Sequence, residues 1–220
     1  MRFHPKWLCY SGLSAGLALL LVMSVNADAG QLLVDDFERG LSPAWTVKSF
    51  KGETAYQVVT DEGRRVLRAD SRAAASGLIK KVDLDPHDYP VLSWRWKVAA
   101  TIPQGDERTK AGDDYAARVY VIFPHWFFPK TRTLNYIWAN HLPAGTFLPN
   151  AHTGNAVMIA VESGPDKAGR WLAERRNIVE DYRRAFGEEP PRIGAIAVMT
   201  DTDNTGTTAL GWYDDLVLSR

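Results

Sequence analysis

Residues 112–124, GDDYAARVYVIFP, decide the fold that we predict for this chain. Two adjacent carboxylates, Asp113 and Asp114, lead directly into an alternating run of residues that favour β-strands. Because successive side chains of a strand point to opposite faces, one face of this run is apolar and the other carries Arg118 and Tyr120. We therefore expect a central strand with one face in the core and an acidic, charged end.

A second segment with clean alternation lies earlier in the chain, at residues 91–98, VLSWRWKV. Trp94 and Trp96 share a face with Leu92 and Val98, a pattern that is typical of a half-buried antiparallel strand. Since the neighbours on that face are aliphatic, we expect the two tryptophans to pack in the core rather than to contact a ligand.

One segment near the C-terminal third carries the signals of a helix. Asn177 is positioned as the N-cap of a helix over residues 178–186, and Gly187 ends that helix ahead of two prolines. The rest of the pattern is about a dozen short runs of strand-forming residues separated by turn residues. The sequence therefore predicts an all-β domain, a jelly-roll-like two-sheet antiparallel β-sandwich with one short helix. A closed barrel is the alternative topology.

Residues 1–29 have the layout of a secretory signal peptide. Two basic residues precede an uncharged, largely apolar run over residues 7–25, and residues 27–29, Ala-Asp-Ala, supply a small-x-small cleavage site. We predict cleavage after Ala29, which leaves residues 30–220 as a single β-sandwich domain, periplasmic or secreted, without a membrane span. The alternative is a retained membrane anchor, because the apolar run approaches the ~20 residues that cross a bilayer.

Composition excludes several classes of function. The only cysteine, Cys9, lies in the predicted signal peptide, so the exported domain has no disulfide, thiolate metal site or cysteine nucleophile. The domain is nearly neutral and has no basic cluster, which argues against nucleic acid as a partner. It contains no Gly-x-Ser-x-Gly, Walker or dinucleotide-binding motif, which argues against the commonest hydrolases, ATPases and dehydrogenases.

Three long motifs together resemble a bacterial family known only as domain of unknown function 3047. The motifs are residues 112–124, quoted above, residues 162–191, ESGPDKAGRWLAERRNIVEDYRRAFGEEPP, and residues 195–218, AIAVMTDTDNTGTTALGWYDDLVL. This resemblance covers nearly the whole exported domain. The family carries no established activity that could be transferred to this chain.

The two ends of the domain are similar to those of jelly-roll carbohydrate-binding modules. They read Asp-Asp-Phe-Glu at residues 35–38 and Asp-Asp-Leu at residues 214–216. The resemblance implies that the first and last strands lie together, and that Asp36, Glu38 and Asp215 hold a structural Ca²⁺ through their carboxylate oxygens. The alternative is that these acidic residues are solvated strand ends. No other cofactor is predicted.

Four carboxylates are candidates for catalysis or for a second cation site. Asp201 and Asp203 lie in a loop with oxygen side chains at alternate positions, like the first half of a calcium loop that lacks its closing glutamate. Neighbouring Asp113 and Asp114 point to opposite faces of a strand, so a catalytic pair would need a partner from that loop. The alternatives are that the loop caps its own backbone, and that Arg118 pairs with an acid across the sheet.

Aromatic and polar side chains provide candidate ligand contacts. Trp126 lies in an aromatic loop bounded by prolines, where ligand contact is more common than on a core face, although the loop could instead cover an open edge of the sandwich. Arg118 and Tyr120 would add polar contacts. We therefore predict a non-enzymatic domain that binds a polysaccharide or another envelope ligand. The alternatives are a carbohydrate-active hydrolase or lyase with an acidic cleft, and an envelope scaffold or assembly protein that meets its partner through Trp126.

Overall fold

A computed structural model describes Met1 and residues 30–220, and the predicted signal peptide and its cleavage site lie outside the described residues, apart from Met1. The described residues form thirteen strands and one α-helix. The strands are β1 (Gln31–Asp35), β2 (Trp45–Lys51), β3 (Ala55–Asp61), β4 (Arg64–Arg72), β5 (Ala75–Leu84), β6 (Val91–Val98), β7 (Arg118–Phe123), β8 (Arg132–Ala139), β9 (Phe147–Asn150), β10 (Thr153–Ser163), β11 (Leu172–Asn177), β12 (Ile193–Met199) and β13 (Thr208–Ser219). The helix, α1 (Ile178–Phe186), lies between β11 and β12.

The strands form two sheets, which confirms the predicted jelly-roll-like sandwich and makes the closed-barrel alternative wrong. The smaller sheet has the order β11-β6-β13-β4-β3, and β1 also pairs with β13. The larger sheet has the order β2-β5-β12-β7-β8-β10-β9. The expected contact between the first and last strands is confirmed, since β1 and β13 are antiparallel neighbours. One pair departs from the antiparallel prediction: β8 and β10 run parallel, because β9 intervenes and turns the chain once more.

The core between the sheets is rich in aromatic side chains. Trp94 and Trp96 of β6 are fully buried there, as their alternation predicts. The Trp94 ring stacks on Tyr136 of β8 with a centroid distance of 5.2 Å, so the contact joins the two sheets. Trp96 similarly meets Trp138 at 5.9 Å. Buried aromatic pairs of this kind give a disulfide-free sandwich much of its stability.

Strand β7 lies near the middle of the larger sheet, between β12 and β8. Val119, Val121 and Phe123 face the core, as predicted. Arg118 and Tyr120 therefore point to the opposite side of the sheet, which we call its outer face. Part of the outer face carries a second, smaller apolar cluster against which β9 packs through Leu148. The remaining part of this face presents Arg118 and Tyr120 to a cleft.

Helix α1 begins and ends at the predicted residues. The Asn177 side chain accepts hydrogen bonds from the backbone N–H groups of Val179 and Glu180. At the other end Gly187 adopts a left-handed conformation with φ 71°, which allows its N–H to bond the Arg183 carbonyl. No helix in the described part of the chain is long and apolar enough to span a bilayer.

Candidate functional site

The outer face of the larger sheet holds a cleft of about 420 Å³. We call it the outer cleft. Most of its exposed surface is apolar, although many of its lining side chains are polar. The lining comprises Phe50, Ala75, Asp113, Arg118, Tyr120, Asn135, Asn150, His152, Ala156, Met199, Asp201, Asp203 and Asn204.

The floor of the outer cleft is set by strand pairing. Arg118 of β7 lies opposite Met199 of β12, and Tyr120 lies opposite Asn135 of β8. Cross-strand partners point to the same face, so these side chains form one continuous surface. One wall is Phe50 of β2, which is 61% exposed and whose ring packs against the backbone of β5. The ring lies beside Gly77 of β5, since a Cβ added to that glycine would be in van der Waals contact with it at 3.9 Å.

A buried ion pair closes one end of the cleft. The guanidinium of Arg118 donates through Nε to Asp201 Oδ1 at 2.8 Å and through Nη2 to Asp201 Oδ2. Nη2 also donates to the Asp113 carbonyl at 2.6 Å, and the Tyr115 N–H donates to Asp201 Oδ1 at 3.2 Å. Both charged side chains are almost fully buried. The acid across the sheet that pairs with Arg118 is therefore Asp201.

The charge state of this pair follows from its hydrogen bonds. Burial lowers the pKa of Arg118, but Asp201 together with Tyr120, Asp113 and Tyr115 outweighs that effect and holds the pKa well above its usual value. Burial raises the pKa of Asp201 above its usual value, and Arg118 opposes this effect. Three N–H donors point at the two Asp201 oxygens, and a protonated carboxyl group would have to turn its own hydrogen against one of them. We therefore assign the pair as charged at neutral pH.

Asp113 links the ion pair to the far wall of the cleft. Its Oδ2 accepts a hydrogen bond from Asn150 Nδ2 at 2.9 Å and lies 3.7 Å from His152 Nε2. Its Oδ1 is 3.7 Å from Arg118 Nη1 and has no hydrogen-bond partner among the described residues. The Asn135 Oδ1 atom on the floor of the cleft is also buried without a partner among these residues. Buried acceptors without partners are uncommon, and a ligand or water is the usual explanation.

Asp114 lies behind the cleft and holds the loop that follows β12. Its Oδ1 accepts from the Asn204 N–H at 3.2 Å, and its Oδ2 accepts from both the N–H and the hydroxyl of Thr205 at 2.6 Å. Asp203 in the same loop accepts from Asn204 Nδ2 at 3.3 Å. The loop is thus capped by the carboxylate of Asp114, which precedes β7, as well as by its own side chains.

Asp114, Asp201 and Asp203 each offer an oxygen within 4.8 Å of the others, so the structure brings the predicted acidic candidates together. These oxygens are already directed at N–H and O–H donors of the protein, as described above. Hard cations need several free oxygen ligands. A cation here would have to displace those donors.

The residues predicted to hold Ca²⁺ at the ends of the domain are spread over separate contacts. Asp36 Oδ1 accepts from the N–H of Glu38 at 3.2 Å. Asp215 Oδ1 pairs with Arg64 Nη2 at 2.8 Å. Among the described residues, the one group of three carboxylates close enough to share an ion is the one behind the outer cleft. Calcium at the strand ends stays a prediction.

Of the ligand candidates, Arg118 and Tyr120 lie in the outer cleft and Trp126 does not line it. Burial raises the pKa of Tyr120 to about 12, so its hydroxyl is neutral. It donates to Met199 Sδ at 3.4 Å. Sequence reasoning missed Phe50, Asn135, Asn150 and His152 as lining residues. The one available signal was the polar Asn135 within an otherwise apolar alternating run.

Comparison with protein families gives a match to the family described as "Protein of unknown function (DUF3047)" over residues 43–217. The chain belongs to this family. The match extends from β2 to β13 and thus includes every residue of the outer cleft. Among curated proteins there is no match.

Several solved structures are similar to the chain at low sequence identity. The family 11 carbohydrate-binding module of the cellulase Lic26A-Cel5E from Clostridium thermocellum is 14% identical with a TM-score of 0.49, over 86% of this chain and 94% of that one. The family 30 module of Cel9D-Cel44B from the same organism is 12% identical with a TM-score of 0.46, over 80% and 91%. A cellulase derived from Cel12A of Rhodothermus marinus is 13% identical with a TM-score of 0.47, over 86% and 99%.

Proposed function

We propose that this protein is an exported, non-enzymatic domain that binds a glycan, or a ligand of similar polarity, in the outer cleft. The observation that carries the proposal is the lining of that cleft, in which carboxylate, amide, guanidinium and imidazole groups surround the floor beside one exposed aromatic ring. Specific polar pockets usually combine a few convergent hydrogen-bonding groups with an apolar wall.

A sugar ring has the complementary chemistry. Its hydroxyl groups both donate and accept hydrogen bonds, and the cleft offers acceptors on Asp113 Oδ1 and Asn135 Oδ1 and the imidazole of His152, while Asn150 orients Asp113. Its C–H face is apolar and flat, and it can stack on an aromatic ring such as that of Phe50, which is largely exposed. The cleft volume of about 420 Å³ falls in the usual range for small-molecule sites.

The engagement of the carboxylates favours binding over catalysis. A glycosidase needs two carboxyl groups that flank the scissile bond, one as acid and one as base or nucleophile. Here Asp201 is held by Arg118, Asp114 is held by the loop after β12, and Asp113 is bonded to Asn150. Groups that are already paired in this way orient other residues more readily than they exchange protons with a substrate.

Export is supported by the sequence of residues 1–29 alone, with its basic start, apolar run and small-x-small site. We place the protein in the periplasm or outside the cell. Cell fractionation followed by mass spectrometry of the N-terminus tests this part separately. Recovery of the protein in the cytoplasm with residues 1–29 intact would contradict it.

Binding is tested by screening polysaccharides with affinity electrophoresis and oligosaccharides with a glycan array. For any ligand found, Phe50→Ala and Asn150→Ala should each weaken binding about tenfold, which corresponds to about 1.4 kcal/mol. Leu33→Ala is the matched control, because Leu33 is an exposed apolar residue on the smaller sheet. The proposal fails if no glycan binds, or if the two cleft variants bind as well as Leu33→Ala does.

A further inference from the structure

The loop between β7 and β8 exposes three consecutive aromatic side chains. Trp126 is 91% exposed, Phe127 49% and Phe128 70%. We call these three residues the aromatic loop. Large aromatic side chains normally bury most of their surface, and a contiguous apolar patch of this kind marks an interaction surface. None of the three lines the outer cleft, so the proposed glycan site does not account for them.

The loop is held in shape by its own hydrogen bonds. The N–H of His125 donates to the Thr131 hydroxyl at 3.2 Å, and the N–H of Phe127 donates to His125 Nδ1 at 3.0 Å. From the neighbouring strand, Asn155 Nδ2 donates to the Pro129 carbonyl at 2.8 Å. A 3₁₀ turn over Phe128–Lys130 adds further backbone bonds. The rings are therefore presented to solvent by a defined scaffold, although they have little to pack on.

Two lysines lie beside the aromatic loop, and the nearby carboxylates are already paired. Glu188 and Glu189 share a cavity with His125 and Lys130, but they are bonded to Arg132 and Arg183. The Lys48 ammonium group of β2 lies 5.1 Å from the centre of the Phe128 ring. Together β2 and residues 124–131 contain Lys48, Lys51 and Lys130 and no carboxylate. Lys51 interacts with Asp203 at 3.8 Å, whereas the Lys48 and Lys130 charges have no carboxylate within ion-pair distance among the described residues.

We propose that the aromatic loop docks this protein onto the surface of a bilayer that contains anionic lipid. Tryptophan and phenylalanine partition into the interfacial region of a bilayer, where an indole ring can keep its N–H near the headgroups. Lysines next to such residues are attracted to the negative surface. The contact is peripheral and reversible, because only one short loop enters the interface.

The composition of the loop favours a lipid surface over a second sugar platform. A sugar contact needs polar side chains around the ring to bond the hydroxyl groups. Near the aromatic loop the amide of Asn155 is already used by the Pro129 carbonyl, and the His125 Nδ1 atom by the Phe127 N–H. The Glu188 and Glu189 carboxylates in the cavity beside His125 are likewise held by arginines. The rings and the ammonium groups of Lys48 and Lys130 are then left to contact an anionic interface.

The test is co-sedimentation with vesicles of phosphatidylcholine, with and without phosphatidylglycerol. The protein is used in its processed form, and its N-terminus is checked by mass spectrometry, because residues 7–25 are apolar and would bind lipid themselves. The parent protein should bind the anionic vesicles, and the double variant Trp126→Ser/Phe128→Ser should bind them about tenfold less. Lys48→Gln/Lys130→Gln should weaken binding to anionic vesicles only.

Leu33→Ser is the matched control and should bind as the parent does, since it exposes a serine on the other sheet. Thermal unfolding of every variant checks that the fold is retained, which is expected because the altered side chains are exposed. The proposal is overturned if the parent binds neither kind of vesicle, or if loss of both rings leaves binding unchanged. Capture of a partner protein or a glycan by the aromatic loop, without vesicle binding, would also overturn it.

Discussion

Replacing Arg118 with methionine should strongly destabilise this protein. The side chains of Arg118 and Asp201 are 5% and 2% exposed, so neither charge has water as an alternative partner. In Arg118→Met the Asp201 carboxylate would stay buried with the Tyr115 N–H as its remaining donor. Removing one member of a buried ion pair typically costs about 3–5 kcal/mol, a large share of the ~5–15 kcal/mol that stabilises a domain.

The measurement is denaturant unfolding with linear extrapolation to water. Arg72→Met is the matched control, because Arg72 pairs with Asp70 on the surface with 76% of its side chain exposed. Loss of that pair should cost less than about 1 kcal/mol. The double variant Arg118→Met/Asp201→Leu should lose less than the sum of its two single changes, since no uncompensated charge remains. The reasoning about the buried pair is refuted if the free energy of unfolding falls no further in Arg118→Met than in Arg72→Met.

The same variant has a characteristic pH dependence. Without Arg118 only the Tyr115 N–H still favours the charged form of Asp201 against the effect of burial, so the pKa of Asp201 in the folded state rises further above that of the unfolded chain. A folded-state pKa above the unfolded value gives stability that is present at low pH and is lost as the pH rises. The deficit of Arg118→Met against the parent should therefore be smaller at about pH 5 than at about pH 8. A deficit that is constant with pH would contradict this account.

Two further predictions concern stability. Burial raises the pKa of Glu174 from 4.5 to about 7, so the parent should lose roughly 1–2 kcal/mol, after allowance for solvent screening, as the pH rises through this range. Thermal unfolding of Glu174→Gln between these pH values should show no such loss of stability. A loss as large as that of the parent would contradict the prediction. A Cβ at Gly211 would lie 2.5 Å from the Ala116 carbonyl oxygen, so Gly211→Ala should cost about 1–3 kcal/mol, whereas Gly154→Ala, with open space around it, should not. Equal unfolding midpoints for the two alanine variants would rule out this steric argument.

Local sequence patterns were enough to predict the elements of the fold. The alternation in β6 and β7 assigned Trp94 and Val119 to the core and Arg118 to the outer face, because side-chain direction in a strand depends only on position. Asn177 and Gly187 gave the ends of α1 for a similar reason, since capping involves residues within one turn. The number of short strands then indicated a sandwich, although it did not reveal the parallel pair of β8 and β10.

Long-range pairing decided the candidate site. Asp201 lies 83 residues after Arg118, and they meet because β12 pairs with β7 in a particular register. Asn150 and His152 reach Asp113 only through the packing of β9 beyond β10, and nothing in their local sequence indicates it. Thus the sequence by itself determined the strands, the helix and the core faces, which depend on local periodicity. Only the tertiary structure decided which polar side chains share the outer cleft, because register and sheet order depend on contacts between distant segments.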